Sequence, residues 1–353
     1  MKSDVYLIRV ESKQIEVRQA ALKKLLDEVK PFAGYKKEEF IPVKITIGDS
    51  PCVYQVSPEL VKVVIAQIKK QQAKPFLFDT SVIYQGQRQN AVDHMNLAQS
   101  KGFGHTKVGA PFIVADGVFG KDGKEFILDN PETKKIKTPS FVGMLDSLVV
   151  ISHTTGHILA GFAAAIKNVA MGMSCRSTKQ VQHSTIKPSV IVKKCTACGC
   201  CLEICPVQAI SYKDNKAFID PKLCIGCAEC LCACKFDAIY VNYHEDPLVF
   251  NRRMVEVAQF ILSKFKNKFY LNFSLDITKE CDCIADKDEK MVAADIGILC
   301  SYDILALDKA TADLAQEYKK GEYFSANSKV YNALFEYAAG KGLGNLDYNL
   351  IQL

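Results

Sequence analysis

Eight of the cysteines between positions 195 and 234 carry the densest chemistry in the sequence. Cys195, Cys198, Cys201 and Cys205 are spaced C-x2-C-x2-C-x3-C, and Cys224, Cys227, Cys230 and Cys234 repeat that spacing. Thiolates placed so closely suit a soft metal centre, and this spacing fits a 4Fe–4S cluster. The first three sulfurs can wrap one face of the cube, while the fourth opens a short helix that points away. The repeat is one displacement along the chain, 195 to 224, 198 to 227, 201 to 230 and 205 to 234, and it also carries Ala209-Ile210 onto Ala238-Ile239. Structural zinc expects well-separated C-x2-C clips and leaves the trailing fourth cysteine unexplained. A disulfide framework expects a short secreted chain. Cys200 and Cys232 lie off the register and read as spare thiols.

Both runs resemble those of two-cluster bacterial ferredoxins. In that family the fourth cysteine of each run ligates the other cluster. The resemblance therefore implies a crossed arrangement: Cys195, Cys198, Cys201 and Cys234 hold one cluster, and Cys224, Cys227, Cys230 and Cys205 hold the second. Pro206 follows the first run as in the family, whereas Lys235 stands at the matching place in the second. That departure bears on how the chain turns away, not on ligation.

The surrounding composition is ordinary for a globular protein, with 353 residues, 48% hydrophobic and 24% charged. The chain has room for one large or two ordinary domains. The N-terminus reaches charged residues too early for a secretory signal, and the longest uncharged apolar stretch, Ile158 to Ile166, ends at Lys167. The expectation is a cytoplasmic protein with no membrane span. Fifteen cysteines without an export signal point to a reducing compartment and an anaerobe. The net charge of +6 falls to about +2 once two clusters of about −2 each are counted. No basic run interleaved with aromatics is present, so nucleic acid is not expected as a partner.

The elements that must position these groups alternate between β and α. Strands are expected at Val5 to Val10, Ile41 to Ile47, Phe76 to Phe78, Phe112 to Ala115 and Leu148 to Ile151. Helices are expected at Val17 to Val29, behind Ser57-Pro58, from His94 to Ser100 and from Ile158 to Val169. After the cysteines the alternation resumes: a helix over 248–266, strands at Phe269 to Ile277 and Ile296 to Leu299, a helix capped by Asp303, a helix over 325–339 and a strand at Tyr348 to Leu353. The fold class is α/β, a mostly parallel sheet domain with an inserted ferredoxin-like module. The division is 1–187 and 247–353 for the α/β domain and 188–246 for the module.

A second constellation is made of histidines. Five of the six fall between His94 and His183, with Lys167 among them. His153 and His157 have the spacing of a helical zinc pair, but Thr154-Thr155-Gly156 makes poor helix, so a strand end followed by a helix start is expected. There the helix dipole keeps His157 neutral. Lys167 follows the small-residue run Ala160-Gly161-Phe162-Ala163-Ala164-Ala165-Ile166 and could serve, partly desolvated, as a nucleophile or an anion clamp. The bland alternative is a snorkelling lysine with locally satisfied histidines.

Several of these stretches resemble an uncharacterised family, domain of unknown function 362. They are Asp79-Thr80-Ser81, Gly86 to His94, Ser152 to His157, Ala160 to Gly172, Gln182-His183-Ser184 and Asp295 to Ser301. Many members carry an inserted ferredoxin module. They often read C-x-C-C where this chain has Cys281-Asp282-Cys283-Ile284, which leaves the role of that pair open. The run from His157 to Lys167, followed by His183, also resembles the core of the nickel-pincer lactate racemases. That likeness implies an acid/base role for His157 and, by position, His94. It further implies a cofactor anchor in Lys167 and a metal ligand in His183. The arginine-bearing substrate loop of those enzymes has no counterpart here.

The function expected is an iron–sulfur electron-transfer protein that relays single electrons through two 4Fe–4S clusters, to or from a redox partner protein or a substrate pocket in the α/β domain. One alternative is a redox enzyme, an oxidoreductase, acting on a small molecule or cofactor at His94, His157, Lys167 and His183, with Cys281 or Cys283 as redox groups. Another is a non-catalytic protein whose clusters are structural or sense oxygen. No Gly-rich dinucleotide fingerprint follows a strand.

Overall fold

Alternation along the central strands decides which side of the sheet each residue serves. Leu148 and Val150 bury into one core and Val149 and Ile151 into the other, and Tyr270 is likewise separated from Phe269 and Leu271. A sheet buried on both faces needs helices on both, and the sequence provides them. The computed structural model describes residues 2–84, 86–183, 187–224, 230, 233–236, 238–240, 246–317 and 321–353. Cys227 and Cys232 lie outside these residues.

The elements in chain order are β1 (Ser3–Arg9), α1 (Ile15–Val29), β2 (Phe40–Lys44), α2 (Pro58–Lys69), β3 (Lys74–Asp79), α3 (Ala91–Ser100), α4 (His105–Val108) and β4 (Phe112–Val114). A hairpin of β5 (Lys124–Ile127) and β6 (Lys135–Thr138) precedes β7 (Ser147–His153), α5 (Ala165–Gly172) and α6 (Arg176–Gln182). The cysteine-rich part holds β8 (Ser189–Val190), α7 (Cys200–Ile204), β9 (Ile210–Lys213), β10 (Lys216–Ile219) and β11 (Ile239–Tyr240). The chain then closes with α8 (Pro247–Leu262), β12 (Asn267–Ser274), β13 (Gly297–Ser301), α9 (Ile304–Glu317), α10 (Glu322–Gly340) and β14 (Tyr348–Gln352).

Eight strands form one sheet in the order β14-β1-β13-β12-β7-β2-β3-β4. All neighbours are parallel except β13, which runs against both β1 and β12. The segments on either side of the cysteines thus build one mixed, mostly parallel sheet. Helices α1 to α3 cover one face, and α5, α8, α9 and α10 cover the other. The chain passes from β2 to β3 over the first face and from β7 to β12 over the second, so β2 and β7 flank a topological switch point. Open α/β sheets leave a crevice at the carboxyl ends of the strands there. The cysteine-rich insertion sits inside the β7-to-β12 crossover. It has a small apolar interior of its own, where Ile210, Ala217, Ile219, Ala238 and Ile239 pack with Cys195, Cys201 and Cys230. Among the described residues no helix is long and apolar enough to cross a membrane.

Local signals account for most elements. Ser57 accepts from the backbone N–H of Leu60 with Pro58 at the first helical position, and Leu60, Val61, Val64, Ile65 and Ile68 are all buried on α2. The helix expected from Ile158 to Val169 is a correction: it begins only at Ala165. Thr155 and Ala163 exchange backbone hydrogen bonds of 3.0 and 2.9 Å, which closes the intervening residues into a loop. Gly161 turns that loop at φ +72°, and a Cβ there would stand 3.0 Å from the Asn327 side chain of α10. The hairpin β5–β6 and helix α6 carry no clear period in the sequence and were not expected from it.

The start of α5 is capped from a distance. Asp308 on α9 accepts from Ala165 N (3.0 Å), Ile166 N (2.8 Å) and the Asn272 side-chain amide (2.8 Å). Burial still lifts its carboxyl to about 6, against the pull of those donors. We predict that Asp308→Ala lowers stability by about 1–3 kcal/mol in denaturant unfolding, because three buried donors lose their acceptor. A loss under about 0.5 kcal/mol would contradict this role.

Candidate functional site

The carboxyl ends of β2, β3 and β7 enclose a cavity of about 80 Å³. Its floor is a buried charge network. Lys44, at the end of β2, has no solvent exposure and reaches Asp79 Oδ1 at 3.1 Å and Asn168 Oδ1 at 2.7 Å. Asn168 in turn donates to Ile151 O and Ser152 Oγ, so one amide ties α5 to β2 and β7. Gly172 is required beside it, because a Cβ would lie 2.1 Å from Lys44 Cε. Asp79 also faces Arg88 Nη1 at 3.5 Å and His94 Nε2 at 3.8 Å. Burial alone would raise its carboxyl, but the cations Lys44, Arg88 and Lys179 outweigh burial and hold it below the usual range. Lys179 of α6 enters from the far side, donating to Ser81 O at 2.6 Å and to Thr80 Oγ1, and burial brings it down to about 8.

The roof is the loop after β12. His153, at the end of β7, contacts Asp282 Oδ1 at 2.7 Å through Nδ1 and Leu275 O at 2.8 Å through Nε2. Both partners are acceptors, so both ring nitrogens donate and the imidazole is charged. Burial opposes this, and Asp282 prevails. The ion pair clamps the loop so that Cys281 and Cys283 line the cavity opposite Lys167. Cys283 is held well below the usual thiol range. The hydrogen bond from Cys281 is the first cause, burial opposes it, and Lys167 and Arg88 add to it. Cys281, donor of that bond and buried, is pushed up.

Of the four residues singled out in the sequence, Lys167 lines the cavity, and His94, His157 and His183 do not. Lys167 is raised: burial lowers it, but Cys281 and Cys283 override that effect. That direction favours a cation at the cavity wall. His94 is fully buried behind Asp79, its ring nitrogens lack hydrogen-bond partners among the described residues, and burial lowers it to about 3. His157 does not open a helix. Its Nδ1 accepts from Leu159 N and Ala160 N, and its ring stacks on Phe250 at 5.8 Å. Burial, Lys167 and His183 lower it well below its ordinary value. His183, at the end of α6, packs on the same Phe250 at 4.7 Å. Asp79, Thr80 and Arg88, from the polar residues just past a strand end that the sequence offers as a ligand position, line the cavity, whereas Lys44 and Lys179 carry no such signal.

A second cavity lies within the insertion. Cys195, Cys198 and Cys201 of the first run line it together with Cys234 of the second. The backbone turns around it through left-handed residues, Ala197 at φ 58° and Gly199 at φ 86°. Backbone amides point at sulfurs, Ala217 N to Cys195 Sγ at 3.4 Å, Ala209 N to Cys205 Sγ at 3.2 Å and Ala238 N to Cys234 Sγ at 3.3 Å. Cys200, off the register, lines the same space; the four in-register thiols, with N–H groups directed at sulfur, fit a thiolate-held iron–sulfur cluster. Cys205, Cys224 and Cys230 gather in the same small interior. Cys227 lies outside the described residues.

Residues 41–313 match the family described as Domain of unknown function (DUF362). The chain belongs to that family. This DUF362 protein is also 41% identical over 59 residues to Ferredoxin 7Fe of Hydrogenibacillus schlegelii, covering 16% of this chain and 72% of that one. It is 42% identical over 53 residues to an uncharacterized ferredoxin of Methanocaldococcus jannaschii, covering 15% of this chain and 31% of that protein. Among solved structures, a Thermotoga maritima protein matches with TM-score 0.42 and 12% identity over 94% of this chain and 60% of its own. The lactate racemase apoprotein of Thermoanaerobacterium thermosaccharolyticum matches with TM-score 0.39 and 14% identity over 78% of this chain and 51% of its own. Neither structural likeness bears on function.

The buried neutral His94 carries a pH signature. An imidazole at about 3 in the fold and near 6.5 when unfolded binds fewer protons folded, so stability falls as pH drops below about 6.5 and goes on falling towards 3. His94→Gln should remove a loss on the order of 2 kcal/mol between pH 8 and pH 5, measured by urea unfolding. Parallel pH profiles for the two proteins would contradict this assignment.

Proposed function

We propose that this chain is an iron–sulfur electron-transfer protein that holds two 4Fe–4S clusters and passes single electrons between a redox partner protein and the cavity in its α/β domain. One observation carries the reading: Cys234 of the second run lines the same cavity as the first three cysteines of the first. That is the crossed set, Cys195, Cys198, Cys201 and Cys234, and its counterpart is Cys224, Cys227, Cys230 and Cys205. When bound, the clusters supply reversible one-electron chemistry. The chain's own part is to present the sulfurs, to direct Ala217, Ala209 and Ala238 N–H groups at them, and to exclude water with Ile210, Ile219 and Ile239. We take 188–246 as the module and 1–187 with 247–353 as its host, in the cytoplasm of an anaerobe.

A second reading is favoured by a different observation, the gathering of Lys167, Arg88, Cys281 and Cys283 on one cavity. It makes the α/β domain an oxidoreductase for a small molecule, with His94, His157 and His183 supporting Lys167 from behind.

Oxygen-free protein should contain about eight iron and eight sulfide per chain. In a background with Cys224, Cys227 and Cys230 all changed to Ser, Cys234→Ser should abolish the remaining dithionite-reduced EPR signal and Cys205→Ser should keep it. The opposite pattern would overturn the crossing. Removing iron with a chelator should make 188–246 cleavable by protease while the sheet core stays intact, because cysteines form much of the insertion's interior. Equal resistance before and after chelation would contradict that dependence.

A further inference from the structure

The Cys281–Cys283 turn lies outside the two cysteine runs and is closely supported by its surroundings. Ile284 N and Ala285 N both donate to Cys281 O, at 2.9 and 3.0 Å, so the two cysteines sit on one tight turn. Asp282 between them is locked to His153, and its own carbonyl accepts from Asp49 N at 2.9 Å. Both sulfurs line the cavity together with Lys167 and Arg88. The accessibilities differ: Cys281 is buried and Cys283 is half-buried. Three other cysteines, Cys52, Cys175 and Cys300, are buried thiols that burial pushes upward, and none of them lines the cavity.

We propose that Cys281 and Cys283 are a dithiol–disulfide couple that reduces a small disulfide in the cavity and is restored by electrons arriving singly from the cysteine-rich insertion. The restoration rests on the electron-transfer reading above; the exchange with the substrate disulfide does not. Cys283, the less buried residue of the pair and on the cavity wall with Lys167 and Arg88, attacks one sulfur of the substrate. An S–S bond forms to Cys283, the substrate's own S–S bond breaks, and one thiolate leaves with its proton drawn from solvent. Cys281 then attacks Cys283, gives up its proton, and expels the second half of the substrate as a thiol. The protein now holds a Cys281–Cys283 disulfide and the substrate has become two thiols. Two one-electron deliveries and one proton return the pair to a Cys281 thiol and a Cys283 thiolate, the ultimate reductant being a low-potential one-electron donor. Thiol–disulfide exchange favours this division of labour, with an ionised, reachable attacking sulfur and a second sulfur held close to resolve the adduct.

The test uses cluster-loaded protein without oxygen, with hydroxyethyl disulfide as the probe. Trypsin cuts after Lys279 and Lys287, so one peptide, Glu280 to Lys287, carries both sulfurs. After acid quenching, the wild-type peptide should be lighter by two hydrogens and carry no adduct. Cys281→Ser should trap a single hydroxyethylthio group on Cys283. Lys167→Met should slow closure by at least ~10-fold without touching either sulfur. Reduced methyl viologen should then reopen the disulfide in loaded protein. A wild-type peptide that stays a free dithiol, or an adduct that accumulates on Cys281, would overturn the couple even if the EPR signal is normal. A disulfide that closes but is not reopened, while the clusters reduce reversibly, would overturn its supply from the insertion.

Discussion

A single buried carboxylate governs the carboxyl edge of this sheet. Asp79 closes β3 with no room for bulk water, and its two oxygens are divided among Lys44, Arg88 and the edge of His94. An isolated charge there would be expensive, and so would any one of its partners left alone. The charges therefore stand or fall together, and their mutual satisfaction fixes the end of β2, the loop carrying Arg88 and the buried face of α3. That floor is what allows a second charged layer, His153 with Asp282, to close over it. Between the layers lies a cavity whose walls are cations and sulfur, a combination that polarises thiols more strongly than water would.

The insertion of the cysteine-rich segment follows from the same topology. A crossover between neighbouring parallel strands must leave the sheet and return, and length added there disturbs no strand pairing. The crossover from β7 to β12 leaves beside Lys167 and returns through α8, whose Phe250 packs on both His157 and His183. These aromatic rings stand where the insertion joins its host, close behind the cavity wall. His157 and His183 thus stand where the insertion joins the sheet domain.

Much of this was legible in the sequence where the cause is local. The Ser57-Pro58 start, the apolar period behind it and the Asp303 cap are short-range instructions, and the structure follows them, with Asp303 accepting from Leu305 N and Ala306 N. The repeat of cysteine spacings exposed the insertion because its metal chemistry is written within a few residues. Where the cause is tertiary, the sequence was silent or misleading. The stretch from Ile158 has helical composition, but the Thr155–Ala163 bridge and the close approach of α10 at Gly161 keep it out of a helix. The antiparallel β13 could not be foreseen from its apolar run. The cavity gathers residues from positions 46, 79, 88, 167, 179 and 281–283, which only the strand order brings together. Lys167 was found from its neighbours along the chain, but its charge state is set by two cysteines more than a hundred residues away.

In the proposed reading the two cysteine runs exchange their last sulfurs around two iron–sulfur centres inside the β7-to-β12 crossover. Anomalous iron scattering from crystals grown without oxygen would locate those centres. Two iron clusters are expected, one among Cys195, Cys198, Cys201 and Cys234 and the other among Cys224, Cys227, Cys230 and Cys205. Iron at a single centre, or a first centre completed by Cys205 instead of Cys234, would contradict it.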